Sequence, residues 1–175
     1  MSTQRSLVIG STGLVGGALV RQLASNKNYV KTLSRNELSP SNPLVDNIKV
    51  DFENLNLYQE HFKEVDEVYI CLGTTISKAG SKEAFGRVDI DYCLETAKQA
   101  CNAGVRNLSL ITSVGADLDS SNFYLRTKGI IEDKISQDQD WNISRDLNEI
   151  AGILTREVDA MEFKTYESTP MSGFL

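Results

Sequence analysis

Residues 6–23 read SLVIGSTGLVGGALVRQL, and no other stretch limits so strongly what this chain can fold into. Residues 7–9 form a short apolar run that ends at Gly10. An amphipathic segment begins at once, with Leu14, Val15, Ala18, Leu19 and Leu23 on one face, so the order is strand, tight turn, helix. Gly10, Gly13 and Gly16 occupy the turn as GxxGxxG. Glycine there lets the backbone leave the strand sharply and lets an anionic pyrophosphate approach the free N–H groups at the helix start. A P-loop needs GxxxxGK[ST], and no Lys-Ser or Lys-Thr pair follows these glycines. A glycine-rich turn without a ligand is the competing reading. The position of the motif between a strand and a helix, as its mechanism demands, favours a dinucleotide site.

Strand and helix signals then alternate. Strands are expected over 29–33, 47–50, 67–72, 108–112 and 141–144, with a last one over 163–166. Helices are expected over 55–62, 81–103, 122–135 and 146–161. The longest, 81–103, carries an apolar stripe of Ala84, Phe85, Val88, Tyr92, Ala97 and Ala100 and stops at Gly104. Such alternation implies parallel βαβ units, and so an α/β three-layer, doubly wound, mostly parallel sheet. Ligands bind such sheets beyond the carboxyl ends of the strands. Those ends carry the glycine turn, Ser34-Arg35, Asp51-Phe52, Leu72-Gly73-Thr74-Thr75 and Thr112-Ser113. With no internal repeat or linker, 175 residues make one domain, 1–175; the charge run 132–140 reads as a solvated face.

A net charge of −6 repels phosphate backbones and anionic membrane surfaces, which argues against nucleic-acid and membrane partners. No basic leader with an apolar core opens the sequence and no apolar run reaches membrane length, so a soluble cytoplasmic protein is expected. Cys71, Cys93 and Cys101 lack metal or redox spacing and read as reduced core residues. His61 is the one histidine, so neither a zinc site nor a Ser-His-Asp triad has the material it needs; a solvent-exposed side chain is expected there.

Several residues carry possible chemistry. Arg35 ends the second strand, where an NAD site usually places a carboxylate on the ribose. A guanidinium suits a 2′-phosphate instead, which favours NADP, while Glu37 keeps NAD open and a plain surface arginine is the alternative. Tyr124 and Lys128, four apart on a helix, share a face, and an ammonium beside a phenol lowers its pKa toward useful proton exchange. The spacing is also common on exposed helices. Ser113, ending the preceding strand, offers a hydroxyl for a substrate oxygen, or is simply a turn residue. Asp51 reads equally as a helix cap or as an adenine contact.

GSTGLVGGALVRQL, VDFENL at 50–55, CLGTTISKAGSKEAFGRVDIDY at 71–92, AGVRNLSLITSVGAD at 103–117 and FYLRTKGIIE at 123–132 together have a familiar look. The chain resembles the atypical short-chain dehydrogenase/reductases, most closely the NAD(P)H-binding oxidoreductases related to the human Tat-interacting protein and to NmrA-like proteins. The resemblance covers roughly the first 145 residues. It implies a Rossmann fold, with NADP held by Gly10, Ser11, Thr12, Gly13, Leu14, Val15, Gly16, Arg35, Asp51, Phe52, Leu72, Gly73, Thr74, Tyr124 and Lys128. It also implies Ser113, Tyr124 and Lys128 as the catalytic set. After the sixth strand the family continues Arg-Pro-Ser, whereas here Arg145 precedes Asp146, so the segment that covers the substrate pocket is shortened or interrupted. Asp146 and Glu149 form a capping box for a helix with Leu147, Ile150, Ala151, Leu154, Val158 and Met161 on its apolar face.

Two functions lead, ahead of a structural Rossmann domain with no cofactor. One is an NADP-dependent oxidoreductase passing hydride to or from a small carbonyl or alcohol. The other is a non-catalytic NAD(P)H-binding regulator that changes its affinity for a protein partner with cofactor occupancy. A homodimer is compatible with either.

Overall fold

The computed structural model describes residues 4–137, 141–144 and 161–168. Its central strand, β1 (Arg5–Ile9), pairs in parallel with β2 (Tyr29–Ser34) on one side and β4 (Glu67–Ile70) on the other. Outside these lie β3 (Val45–Lys49) and β5 (Asn107–Ser113), also parallel. Burial on both faces explains the apolar runs of the two inner strands, Leu7 to Ile9 in β1 and Val68 to Ile70 in β4. Alternate β1 residues feed two separate cores: Leu7 and Ile9 join Val68, Ile70, Leu108 and Leu110 on one face, while Val8 joins Val30 and Tyr69 on the other.

Helix α1 (Leu14–Ser25) covers the second face with Leu19, Leu23 and Ala24. The first face is closed by the helical run that was expected to be continuous over 81–103. A short α2 (Ile76–Ala79) precedes it, and the run itself is α3 (Lys82–Gly86), a π-helical turn (Arg87–Asp91) and α4 (Tyr92–Asn102). Ser81 caps its start by accepting from Ala84 N at 3.1 Å, and Gly104, at φ +73, ends it. The π turn accommodates an extra residue and directs Asp89 into the protein. Cys93, Ala97 and Ala100 of α4 pack on the sheet with Ile131 and Ile135 of α5 (Phe123–Gln137). The result is the three-layer, doubly wound arrangement of a Rossmann fold.

Other expectations shift locally. Residues 55–62 belong to a kinked 3-10 segment, Phe52–Phe62, with non-helical backbone at Asn54 and Tyr58. His61 is not solvent-exposed as expected but half-buried, its ring stacked on Tyr58 with centroids 6.4 Å apart and Glu60 3.3 Å away. Cys93 is buried, whereas Cys71 and Cys101 are half-buried. β6 (Trp141–Ser144) does not join β5 directly: β7 (Met161–Ser168) lies between them, antiparallel to both. The helix expected over 146–161 lies outside the described residues except for Met161, which opens β7, and so does the interruption expected near 145.

Candidate dinucleotide and proton-transfer site

The glycine turn is built by close backbone approach. Gly10 stands at φ +87, and a Cβ there would lie under 3.0 Å from the Cys71 carbonyl at the end of β4. A Cβ on Gly16 would collide with Gly10 itself. These two glycines bring the start of α1 against the ends of β1 and β4. Gly13 differs: it is the N-cap of α1, its N–H donates to Gly10 O at 3.1 Å, and an added Cβ would meet only that oxygen, at 3.3 Å. The helix start has no side-chain cap and no acidic residue in its first turn, so its N–H groups and dipole are free for an anion. The Ser11 hydroxyl is buried in the same turn with no partner among the described residues. Uncapped N–H groups, a cradle only glycine permits and an orphaned hydroxyl fit a pyrophosphate.

A cleft of about 540 Å³ opens beside this turn. Gly10, Thr12, Gly13, Arg35, Phe52, Leu72, Gly73 and Thr74, all expected at the site, line it. Ser11, Leu14, Val15 and Gly16 do not: Val15 packs in the interior, Leu14 is exposed, and Gly16 serves the turn. Asp51 lines an adjoining hollow with Arg35, Lys49, Tyr58 and Tyr92. Its carboxylate accepts from Asn54 Nδ2 at 2.7 Å and Glu53 N at 3.0 Å; these bonds hold its pKa below the ordinary aspartate value and make it the cap of the 3-10 segment. Among the described residues, the cleft lining includes three cations, Arg35, Lys78 and Arg87, and no carboxylate, a local reversal of the chain's net charge of −6.

The expected catalytic residues stand at the end of β5 and on α5. Ser113 is buried, its Oγ donating to Val114 O at a long 3.3 Å. Tyr124 is 37% exposed, and Lys128 Nζ lies 5.7 Å from its ring centroid. Lys128 itself is only 3% exposed and donates to Asp89 Oδ1 at 2.7 Å, while Asp89 Oδ2 accepts from Thr74 N at 3.0 Å. Burial works to lower the Lys128 pKa, but the charge and hydrogen bond of Asp89 outweigh it and the net shift is upward. Asp89 therefore ties the loop after β4, at the cleft wall, to the lysine beneath Tyr124. Neither Asp89 nor Arg87 stood out in the sequence. Asp89 does lie four residues from both Phe85 and Cys93, so a carboxylate on a buried helical ladder was its signal.

Close packing positions α5. A Cβ at Gly129 would lie under 3.0 Å from the backbone of Asp117 and Leu118, so the loop after β5 crosses the helix at that point. Asp117 N donates to Leu125 O at 3.2 Å in the same crossing. Thr112 Oγ1 on β5 bonds Glu132 on α5.

The NAD(P)H-binding family matches residues 10–147, from the glycine turn past the end of β6. The chain belongs to that family. Protein HTATIP2 of Rattus norvegicus is 34% identical over 142 residues, covering 78% of this chain and 58% of the relative. The mitochondrial protein FMP52 of Debaryomyces hansenii is 33% identical over 133 residues, covering 74% and 59%. This NAD(P)H-binding chain thus spans under three-fifths of the length of these relatives. Its fold is similar to that of a short-chain dehydrogenase/reductase superfamily protein from Agrobacterium tumefaciens with bound NAD, at a TM-score of 0.63 and 18% identity over 75% of this chain and 44% of that one. MoeE5 in complex with UDP-glucuronic acid and NAD gives a TM-score of 0.62 at 20% identity, covering 75% and 48%. Among the described residues no helix is long and apolar enough to cross a membrane.

Proposed function

We propose that this chain is an NADP-dependent oxidoreductase that reduces a small carbonyl or oxidises the corresponding alcohol. The observation that carries the reading is the Lys128 ammonium, kept charged by Asp89 and set 5.7 Å from the centre of the half-exposed Tyr124 ring. An ammonium held at this place favours negative charge that develops on the tyrosine oxygen as a proton moves. Tyr124 Oη donates or takes the proton at the substrate oxygen, and Ser113 Oγ, bound only weakly to Val114 O, turns to hold that oxygen. A bound dinucleotide supplies or accepts the hydride.

The choice of NADP rests on the cleft. Gly10, Thr12 and Gly13 receive the pyrophosphate at the start of α1, and Arg35 at the end of β2 receives the 2′-phosphate. A lining that, among the described residues, holds three cations and no carboxylate suits a ligand with an additional phosphate.

Calorimetric titration of the chain with NADPH and NADH tests the cofactor, and NADPH oxidation across a panel of aldehydes, ketones and quinones tests the chemistry. Tighter binding of NADPH with turnover of some member of the panel is the expected result. Binding without turnover of any member identifies a non-catalytic NAD(P)H-binding regulator instead.

A further inference from the structure

Arg35 is joined at the cleft by a second guanidinium from a different layer of the protein. Arg87 opens the π-helical turn and lines the same cleft. Both arginines act on one atom group: the Tyr92 hydroxyl, pushed up to about 12 by burial and by its bond to Glu53, is pulled back down by the charges of Arg87 and Arg35. Arg35 and Arg87 line the cleft together with Tyr92 and Phe52, Arg35 also lines the adjoining hollow with Tyr92, and the Phe52 ring centroid lies 5.4 Å from that of Tyr92. Lys78, by contrast, stands on α2 beyond the end of β4.

Glu53 holds the arrangement. One of its carboxylate oxygens, Oε1, accepts from Tyr92 Oη at 2.7 Å and from Arg87 Nη1 at 3.1 Å. The Arg87 side chain remains 59% exposed, which leaves donors of its fork turned to solvent. Arg35, Arg87 and Lys49 against the carboxylates of Glu53 and Asp51 leave an excess of positive charge beyond the end of β2.

We propose that Arg87 is the second arm of a two-arginine clamp on the 2′-phosphate of the dinucleotide, opposite Arg35 and braced by Glu53. The inference rests on the NADP reading above and adds a specificity residue to it. A phosphate has three terminal oxygens, enough to accept from both forks at once, and NADH offers a neutral hydroxyl in its place.

The test is calorimetric titration of the full chain with NADPH and NADH, unmutated and as Arg35→Ala, Arg87→Ala and Arg87→Gln, each checked for retained circular dichroism. Arg87→Gln keeps a donor toward Glu53 while removing the charge, so it carries the test if Arg87→Ala loosens the fold. The expected result is NADPH affinity lowered about tenfold or more by either change at Arg87, with NADH affinity held within about twofold. 2′-AMP, used as a competitor, should lose affinity in the same variants while 5′-AMP does not. An equal loss for NADPH and NADH in both Arg87 variants, with NADPH preference still dependent on Arg35, overturns the clamp and leaves the NADP reading standing. Equal affinities for the two cofactors in the unmutated chain overturn both.

Discussion

Asp89 and Lys128, on different helical elements, form a buried ion pair at 2.7 Å, with side chains 0% and 4% exposed. The pair joins the π turn to α5, and through Thr74 N it fixes the loop after β4 as well. Asp89→Ala leaves the lysine charge buried without its counterion and should cost about 3–5 kcal/mol, read by chemical denaturation. Asp89→Asn, which keeps an acceptor for one partner, should cost less.

The pair also sets an alkaline limit. The Lys128 pKa is raised on folding, so its contribution is fully present below the ordinary lysine value and is lost as pH rises through the higher folded one. Denaturation at stepped pH should show the stability gap between the unmutated chain and Asp89→Asn constant near neutrality and closing above about pH 10.4. A gap that closed on the acid side of neutrality alone would contradict the assignment.

The glycines of the turn should separate by role. Gly13→Val sets a branched side chain where backbone meets pyrophosphate, with only the Gly10 carbonyl near its Cβ, so the chain should fold and lose NADPH and NADH binding together. Gly10→Ala, at φ +87 and against the Cys71 carbonyl, should lower thermal stability as well as binding.

Gly129→Ala should act at a distance from any ligand. Its Cβ would strike the backbone of Asp117 and Leu118, which forces α5 from the loop after β5 and shifts Tyr124 relative to Ser113. Such overpacking costs about 1–3 kcal/mol, seen as a lowered melting temperature.

Tyr124→Phe deletes the proton-carrying hydroxyl and keeps the ring over Lys128. An oxidoreductase should retain its NADPH affinity and lose turnover by about 10²–10⁴-fold, measured as kcat. Undiminished turnover in this variant would remove Tyr124 from the chemistry.

Local signals made much of the fold legible. Glycine placement and an apolar face identified the β1 turn and α1, because steric freedom and helical period act over a few residues. The stripe over 81–103 placed Phe85, Ala97 and Ala100 correctly, but a fixed 3.6-residue period cannot register an inserted residue, so the π turn and the inward Asp89 were hidden. Arg87 was hidden for a related reason: its meaning depends on Arg35, Glu53 and Tyr92, which reach it from three separate segments. The position of β7 between β5 and β6 is likewise set by long-range pairing, which no run of four or eight residues announces.

That placement of β7 has a consequence for solubility. β5 carries six consecutive buried residues, Leu108 to Ser113, and β7 pairs with it along seven positions from Asn107 to Ser113. Remove 161–168 and a seven-residue strand, buried over six positions, is left with open N–H and C=O groups along one edge, the template on which chains recruit one another into aggregates. The opposite border is guarded differently: β3 is short and sets exposed Asp46 and Lys49 along its length. A shortened version ending before Met161 would keep the glycine turn and the Asp89–Lys128 pair yet be prone to self-association, so β7 acts as the selvage that keeps this sheet from being extended by its neighbours.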